Sequence, residues 1–284
     1  MTQRLGRYGL DTDRPWVMGI LNLTPDSFSD GGLVRGIDAA RARAQQLQAQ
    51  GADIIDVGGE STRPGAEAVS PEEETHRVLP VLEALQDLGL PLSLDSRRPQ
   101  VVAAAMKIGI DMVNDVTGFR DAGMQALLGT IRDAGCAVCV MHMQGEPQTM
   151  QQAPQYADVV TEVFGFLQQQ QQHLLACGFR ADQIFLDPGF GFGKTLAHNL
   201  ALLQALPQLS AGSQLLVGLS RKSLIAALLG RDAPVRERLA GSLAAVLYAA
   251  QQGARIVRVH DVQETADALR VWQGLSSSFH MRSL

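Results

Sequence analysis

Short apolar runs recur along the whole chain, and amphipathic segments separate them. In the first of these segments Ile37, Ala40, Ala44 and Leu47 lie three or four positions apart and form one apolar helical face. Strands that alternate with helices are typical of βα units and of a parallel sheet. Eight apolar runs are present, at residues 17–23, 53–59, 91–96, 111–118, 137–143, 184–190, 215–221 and 255–261.

Glycine closes most of the helical segments just before the next apolar run. A left-handed glycine is a common way to end a helix, so each of these glycines marks a predicted helix end. They are Gly51, Gly89, Gly109, Gly135, Gly178 and Gly253. Eight such units without a linker or a break in composition predict an α/β fold of the single-domain (β/α)8 TIM-barrel type. We expect an N-terminal lead at 1–15, the barrel at 16–276 and a C-terminal tail at 277–284; an open doubly wound sheet is the alternative.

Composition and charge exclude several kinds of partner. The 284 residues carry a net charge of -5, which gives no general attraction to nucleic acid or to anionic lipid. No apolar run reaches the roughly 18 residues that a transmembrane helix needs, and the N-terminus lacks the apolar stretch of a signal peptide. We therefore expect a cytoplasmic protein whose partners are small molecules. Cys136 and Cys139 lie in one predicted strand, on opposite faces, which argues against a metal or redox pair.

Polar residues follow nearly every apolar run. One polar residue at a strand end is often a helix cap, but a barrel places all eight carboxyl ends at one mouth, where active sites of this fold lie. A polar cluster at almost every end therefore predicts one shared site. The residues are Asn22, Glu60, Ser61, Thr62, Arg63, Asp95, Asn114, Asp115, His142, Asp187, Ser220, Arg221, Lys222, Arg258 and His260.

The segment LDPGFGFGKT at residues 186–195 is neither of the two familiar glycine-rich phosphate motifs. A Walker A loop needs a glycine where Pro188 stands, and the alternating Gly189, Gly191 and Gly193 do not have the spacing of a dinucleotide fingerprint. The segment predicts a carboxylate, Asp187, followed by an open apolar loop. We interpret Lys194 at its end as an exposed loop charge.

The types of polar residue constrain the ligand. Asp95, Asn114 and Asp187 offer hydrogen-bond acceptors and an amide that match a planar heterocycle rich in N–H donors. Arginine, lysine and histidine at other strand ends suit a phosphate group. The helix predicted after 220–223 offers free backbone N–H groups and the Ser223 hydroxyl to an anion such as a carboxylate.

Taken in order, these motifs closely resemble the dihydropteroate synthase family of folate biosynthesis. The resemblance covers nearly the whole chain, and several of its motifs are long and specific. They are MGILNLTPDSFSDGG (18–32), DVGGESTRPGA (56–66), SLDS (93–96), ND (114–115), VMHMQG (140–145), LDPGFGFGK (186–194), GLSRKS (218–223) and RVHD (258–261). The chain departs slightly from the family pattern at Ser96, where many relatives have threonine, and at the unusually basic pair Arg97 and Arg98.

The resemblance implies a transferase of the (β/α)8 fold, usually a homodimer and a sulfonamide target. It would join 6-hydroxymethyl-7,8-dihydropterin diphosphate to 4-aminobenzoate, giving 7,8-dihydropteroate and diphosphate. The family pattern places the pterin edge on Asp95, Asn114 and Asp187, with Met141 lining the pocket and Lys222 donating to the ring.

The resemblance assigns the remaining roles to other motifs. Arg258 and His260 would meet the diphosphate, and Asn22 would lie on the side of a Mg²⁺ ion. The aminobenzoate residues would be Thr62, Arg63, Pro64, Phe192 and Ser223, and catalysis would depend on Asp95, Lys222, Arg258 and Arg63. The loops at 22–32 and 58–70 close over substrate in the family.

The implied chemistry is a dissociative displacement. Diphosphate leaves first, because the electron-rich dihydropterin can delocalise a methylene cation, and the weakly basic amine then attacks. No strong base is required; the leaving charge must be stabilised, and Asp95 must favour the cation. The alternatives that remain are a noncatalytic pterin-binding paralogue and a pterin-dependent methyltransferase, whereas a metal-dependent hydrolase would have His-x-His at the end of the first strand.

Overall fold

The computed structural model describes residues 2–23, 32–61, 69–146 and 148–280, with only the backbone for 32–35 and 277–280. An antiparallel hairpin of β1 (Thr2–Leu5) and β2 (Tyr8–Asp11) comes first. The eight strands that follow are β3 (Trp16–Asn22), β4 (Ile54–Gly58), β5 (Leu92–Asp95), β6 (Met112–Asp115), β7 (Ala137–Met141), β8 (Ile184–Asp187), β9 (Gln214–Val217) and β10 (Ala254–Val259).

These eight strands form a closed parallel barrel. Its order is β10, β3, β4, β5, β6, β7, β8, β9, and β10 pairs with both β3 and β9, which closes the ring. An open sheet would leave two edge strands, so the doubly wound alternative is wrong and the (β/α)8 prediction is confirmed. Each predicted apolar run overlaps one of these strands, and the bounds differ by one residue at the start of β3, β9 and β10.

Helices surround the barrel in the expected alternation. They are α1 (Gly32–Ala49), α2 (Pro71–Ala84), α3 (Pro99–Ile108), α4 (Ala122–Asp133), α5 (Val159–Ala176), α6 (Leu196–Ser210), α7 (Ser223–Leu229), α8 (Leu239–Gln251) and α9 (Val262–His280). The helix-ending glycines are left-handed: Gly109, for example, has φ 100° and donates its N–H to Ala105 O at the end of α3. The segment predicted as a C-terminal tail begins inside α9.

Buried apolar side chains form two main regions, one inside the barrel and one between the strands and the helices, and a third, smaller cluster of Val116, Met141, Met143 and Met150. Because side chains alternate along a strand, Cys139 packs inside the barrel and Cys136 packs in the outer layer, as predicted from their spacing. Trp16 and Phe185 meet inside, with ring centroids 6.1 Å apart. Within the described chain, no helix is long and apolar enough to cross a membrane. The cytoplasmic location stays a prediction.

The N-terminal lead takes part in the barrel core. Leu5 at the end of β1 is fully buried and packs in the same cluster as Trp16. Arg7 in the hairpin turn holds the buried Asp111 through its backbone N–H and its guanidinium, at 2.9–3.0 Å. The hairpin therefore lies against the amino-terminal end of the barrel and leaves the carboxyl ends of the strands open.

Candidate active site

A cavity of about 440 Å³ lies at the carboxyl ends of the barrel strands. Its wall brings together every described residue to which the family resemblance assigns a role, whereas Asp115 and His142 at the predicted strand ends do not line it. The residues with an assigned role are Asn22, Asp95, Asn114, Met141, Asp187, Phe192, Lys222, Ser223, Arg258 and His260. Thr62, Arg63 and Pro64, the remaining predicted site residues, lie outside the described residues.

Strand register sets the rim of this cavity. Asn22 is paired with Gly58, Gly58 with Asp95 and Asp95 with Asn114. These four residues therefore lie at the same level on the four adjacent strands β3 to β6. On the far side Met141 is paired with Asp187. Asn22 and Asp95 both lie close to Gly58, since a Cβ built there would be in ordinary van der Waals contact with Asn22 Oδ1 at 3.5 Å and Asp95 Oδ2 at 3.7 Å.

Arg258 bridges two carboxylates at the base of the cavity. Its Nε donates to Asp56 Oδ2 and its Nη2 to Asp95 Oδ2, both at 2.6 Å. Burial alone would lower the pKa of Arg258, but the two carboxylates outweigh it and raise that pKa. Burial raises the pKa of Asp95 to about 7, against the opposing effect of Arg258. The Asp95 carboxyl group therefore changes its protonation state close to neutral pH.

Asp56 is a site residue that the sequence analysis missed. It is fully buried inside the barrel and fixes the guanidinium from below. The available signal was a carboxylate in the middle of an apolar strand, where barrel interiors normally carry branched apolar residues. Its Oδ1 has no hydrogen-bond partner among the described residues, so its bond to Arg258 is its main compensation for burial.

Asp187 and Asn114 present polar atoms to the cavity. Both are buried, and Asp187 Oδ1 accepts a hydrogen bond from Gly189 N at 2.7 Å. Within the described part of the chain, neither Asp187 Oδ2 nor the Asn114 amide has a side-chain partner. Burial raises the pKa of Asp187, and Lys222 opposes the rise. These atoms are free to bind a ligand that carries several N–H groups.

Lys222 is held against the loop between β8 and α6, residues 188–195, which we name the Gly-Phe loop. Its Nζ donates to Phe190 O and lies 4.7 Å from the centroid of the Phe192 ring. Burial lowers the pKa of Lys222 to about 8, while Asp187 opposes the fall. One ammonium thus faces a carboxylate, a carbonyl and an aromatic face.

The adjacent turn between β9 and α7 is tightly held. Arg221 has a left-handed φ of 62°, donates its N–H to Ser242 Oγ at 3.0 Å and pairs with Asp261. Ser220 Oγ accepts the N–H of His260 and lies 3.2 Å from its Nδ1. These contacts join the ends of β9 and β10, and they set Lys222 and His260 on the same side of the mouth.

Two sequence expectations about side chains at the mouth are wrong. Lys194 is 3% exposed, not a solvated loop charge, and its ammonium lies 3.1 Å from Nδ1 of His142. Burial lowers the pKa of His142 to about 3 and that of Lys194 to about 7. The His142 side chain thus contacts Lys194 and does not line the cavity.

The unusually basic pair Arg97 and Arg98 does not line the cavity. Arg97 pairs with Glu60 and Glu146, and Arg98 pairs with Glu60 and with the buried Glu74, at 2.8–3.1 Å. These pairs connect the segments that follow β4, β5 and β7. Arg97 and Arg98 therefore belong to an ion-pair network at the rim of the cavity, in which glutamates already compensate their positive charge.

The comparisons with known proteins agree with this geometry. The pterin-binding enzyme family matches residues 18–260. The chain is 51% identical to the dihydropteroate synthase of Neisseria meningitidis serogroup B over 276 residues, 95% of this chain and 96% of that protein. The two proteins therefore align over nearly their full lengths.

Solved structures give the same relation in three dimensions. A Yersinia pestis dihydropteroate synthase in a sulfonamide drug complex is 44% identical, with TM-score 0.88, covering 98% of this chain and all of that one. A Burkholderia cenocepacia dihydropteroate synthase complexed with 7,8-dihydropteroate is 46% identical, with TM-score 0.87, covering 99% of this chain and 98% of that one. This chain therefore shares the fold of these proteins over nearly its whole length.

Proposed function

Since this chain belongs to the pterin-binding enzymes, and among them to the dihydropteroate synthases, we propose that its barrel mouth catalyses the condensation by a dissociative displacement. The enzyme is a transferase that joins 6-hydroxymethyl-7,8-dihydropterin diphosphate to 4-aminobenzoate. The observation that supports the residue roles best is the set of three buried polar side chains, Asp95, Asn114 and Asp187, facing one cavity.

The pterin ring lies at the base of the cavity in this proposal. A carboxylate can accept two parallel hydrogen bonds from the amino and ring N–H groups of a guanidine-like edge, and we assign this role to Asp187, which lines the cavity and is not paired with an arginine among the described residues. Asn114 supplies an amide for the neighbouring ring atoms, and Met141 lies at the wall. Lys222, which is close to Asp187, donates to an acceptor atom of the ring.

The displacement begins with cleavage of the bond between the methylene carbon and the diphosphate oxygen. The bond electrons leave with diphosphate, and the positive charge spreads into the dihydropterin ring. Asp95, ionised and fixed by Arg258, stabilises that charge, while Arg258 and His260 stabilise the leaving anion. The amine of 4-aminobenzoate then attacks the methylene carbon, and its extra proton passes to solvent or diphosphate.

The aminobenzoate lies on the outer side of the cavity. Phe192 offers it an aromatic face, and the exposed Ser223 hydroxyl at the start of α7 offers its carboxylate a donor. Thr62, Arg63 and Pro64 retain the roles that the family resemblance gives them. Holding two reactants in contact makes attack by a weak amine effectively unimolecular, which is a large part of the catalysis.

In this proposal Asn22 would help to hold a Mg²⁺ ion that accompanies the diphosphate. Among the described residues no group of three His, Cys, Asp or Glu side chains can hold a metal by itself. Asn22 is exposed at the mouth, and its Oδ1 is the hard oxygen ligand that Mg²⁺ accepts, with substrate phosphates completing the shell. When bound there, the ion would neutralise charge on the leaving diphosphate.

Purified protein tests the reaction directly. Diphosphate release is measured with the dihydropterin diphosphate and Mg²⁺, with and without 4-aminobenzoate. We expect release to depend on 4-aminobenzoate and dihydropteroate to form in equal amount. If the pterin binds but no diphosphate appears, the chain is a noncatalytic pterin-binding paralogue.

The rate should depend on pH with two limbs. Below a pKa of about 7 Asp95 is protonated and cannot offset the cation, so activity falls toward acid pH. Above a pKa of about 8 Lys222 loses its charge, so activity falls toward alkaline pH. We expect kcat/KM for the dihydropterin diphosphate to be bell-shaped, with limbs near these values. Asp95→Asn should remove the acid limb; an unchanged acid limb in this variant would contradict the role of Asp95.

An exposed apolar groove supports a homodimer. It has a volume of about 390 Å³ and lies between α6, α7 and α8, where Leu228 is 52% exposed and Tyr248 39%. Monomers rarely expose such surface, and we propose a second copy of this chain as its occupant. Light scattering should give about twice 30.5 kDa for wild type.

Leu228→Glu should give a monomer, because it places an unpaired charge in the contact. The matched control is Val271→Glu, on an α9 residue that is 64% exposed. The control should keep the wild-type mass. A dimeric Leu228→Glu protein would contradict the assignment of this groove.

A further inference from the structure

Lysine is rare in this chain, and two of its lysines lie at the barrel mouth. Of the 24 lysines and arginines only Lys107, Lys194 and Lys222 are lysines. Lys107 is exposed near the end of α3, whereas Lys194 and Lys222 contact neighbouring carbonyls of the Gly-Phe loop, those of Gly189 and Phe190. An ammonium is a compact charge with three donors, and a planar guanidinium cannot replace it where several acceptors converge. The mechanism above uses Lys222 and leaves Lys194 without a role.

The Lys194 ammonium lies in a cage of acceptors from two loops. Its Nζ is 3.0 Å from Gly189 O and 2.9 Å from Phe192 O in the Gly-Phe loop. Across the gap it is 3.3 Å from His142 O and 3.1 Å from His142 Nδ1 in the segment after β7. Four acceptors thus share three N–H donors, with one buried positive charge at the centre.

Close backbone contact makes this cage possible. A Cβ at Gly189 would lie 2.0 Å from His142 O, and one at Gly193 would lie 2.5 Å from Gln144 O. Both glycines are left-handed, with φ of 67° and 62°, so larger residues are excluded by contact and by conformation. The two loops therefore approach closely enough for one ammonium to hold both.

The same loop presents the groups that contact Lys222. Gly189 O points to Lys194, whereas the next carbonyl, Phe190 O, accepts from Lys222. Phe192 contributes its carbonyl to the cage and its ring to Lys222 and the cavity. Removing the Lys194 ammonium would leave Phe192 O without this donor and Gly189 O with only the Phe192 N–H, at 3.0 Å, and would release the Phe192 ring.

We propose that Lys194 is a positioning residue for the amine substrate: its ammonium is the central ion of the Gly-Phe loop and fixes the Phe192 ring and the Phe190 carbonyl around Lys222. Lys194 does not touch substrate. The inference rests on the proposed function, in which Phe192 faces 4-aminobenzoate, and it gives a reason why this motif needs lysine.

Kinetics of Lys194→Met test the proposal, because methionine keeps the length of the side chain and removes its charge and donors. We expect KM for 4-aminobenzoate to rise by about tenfold or more, since the aromatic wall loses its fixed position. The Kd of the dihydropterin should change by less than about threefold, because Asp95, Asn114 and Asp187 remain in place. Lys107→Met is the matched control and should leave both values unchanged.

If KM for 4-aminobenzoate and the Kd of the dihydropterin rise by the same factor in Lys194→Met, the barrel is damaged generally and the proposal is overturned. Wild-type values of both quantities would also overturn it. Lys194→Arg should resemble Lys194→Met, since a guanidinium does not fit the cage; full activity in this variant would also overturn it. If wild type itself releases no diphosphate, the proposed function fails, and the cage is then tested separately by nuclear magnetic resonance.

Lysine-selective ¹⁵N labelling gives that separate test on the unaltered protein, with one signal per lysine. At pH 6, below the pKa of Lys194, its ammonium hydrogens should exchange slowly with water because they are buried and bonded. The Lys107→Met variant assigns the exposed lysine, whose hydrogens should exchange fast. Fast exchange at all three lysines would overturn the cage even if Lys194→Met does not fold.

Discussion

Asp187→Asn should weaken dihydropterin binding by about a thousandfold, or about 4 kcal/mol. The substitution keeps the shape of the side chain and replaces one carboxylate oxygen with an N–H₂ donor. That donor would face the N–H groups of the pterin edge in a buried site, where unmatched donors are costly. The Oδ1 atom can still accept from Gly189 N, so the Gly-Phe loop should keep its conformation.

Calorimetric titration with 6-hydroxymethyl-7,8-dihydropterin measures this loss without the reaction. Asp133→Asn is the matched control, because Asp133 is exposed at the end of α4 and does not line the cavity. It should bind like wild type. A fall of less than about tenfold for Asp187→Asn would show that the pterin edge is held elsewhere.

Arg258→Lys should lower kcat by about a hundredfold to a thousandfold. The lysine ammonium cannot reproduce a fork that reaches Asp56 with Nε and Asp95 with Nη2, both at 2.6 Å. One of the two buried carboxylates then loses its partner, so the free energy of unfolding should also fall, by about 3 kcal/mol. The leaving diphosphate loses a donor and Asp95 loses its fixed position.

Steady-state kinetics and urea unfolding measure the two effects in one preparation. Arg270→Lys provides the control, since Arg270 forms an exposed pair with Asp267 on α9 and should change neither quantity. Loss of stability with wild-type kcat would mean that Arg258 only offsets the buried carboxylates. Loss of kcat with wild-type stability would mean that the bridge contributes little to the fold.

The pairing around Arg258 explains why a barrel interior can carry two aspartates. Asp56 and Asp95 come from neighbouring strands, and either one alone would be a buried charge without compensation. Arg258 comes from β10, two strands away from β4 around the ring, and closes the group. The site is thus a small ion network built on rigid strands, which favours a fixed position for Asp95.

The sequence determined the fold and most of the site because both depend on local pattern. Apolar runs of strand length, separated by amphipathic helices that end in glycine, specify βα units without knowledge of any distant contact. The polar residues that follow those runs, such as Asn114 and Asp187, must meet at one mouth once the barrel closes. Their chemistry and the family motifs then identified the ligand.

The tertiary structure decided which polar side chains face each other. Lys194 and His142 are 52 residues apart, and Arg258 lies 202 residues from Asp56. No local pattern records such a distance, so Lys194 was expected in solvent and Asp56 was not identified. The physical reason is that a strand's alternation fixes whether a side chain points inward, whereas its partner and its pKa depend on strand register, burial and charges supplied by segments remote in sequence.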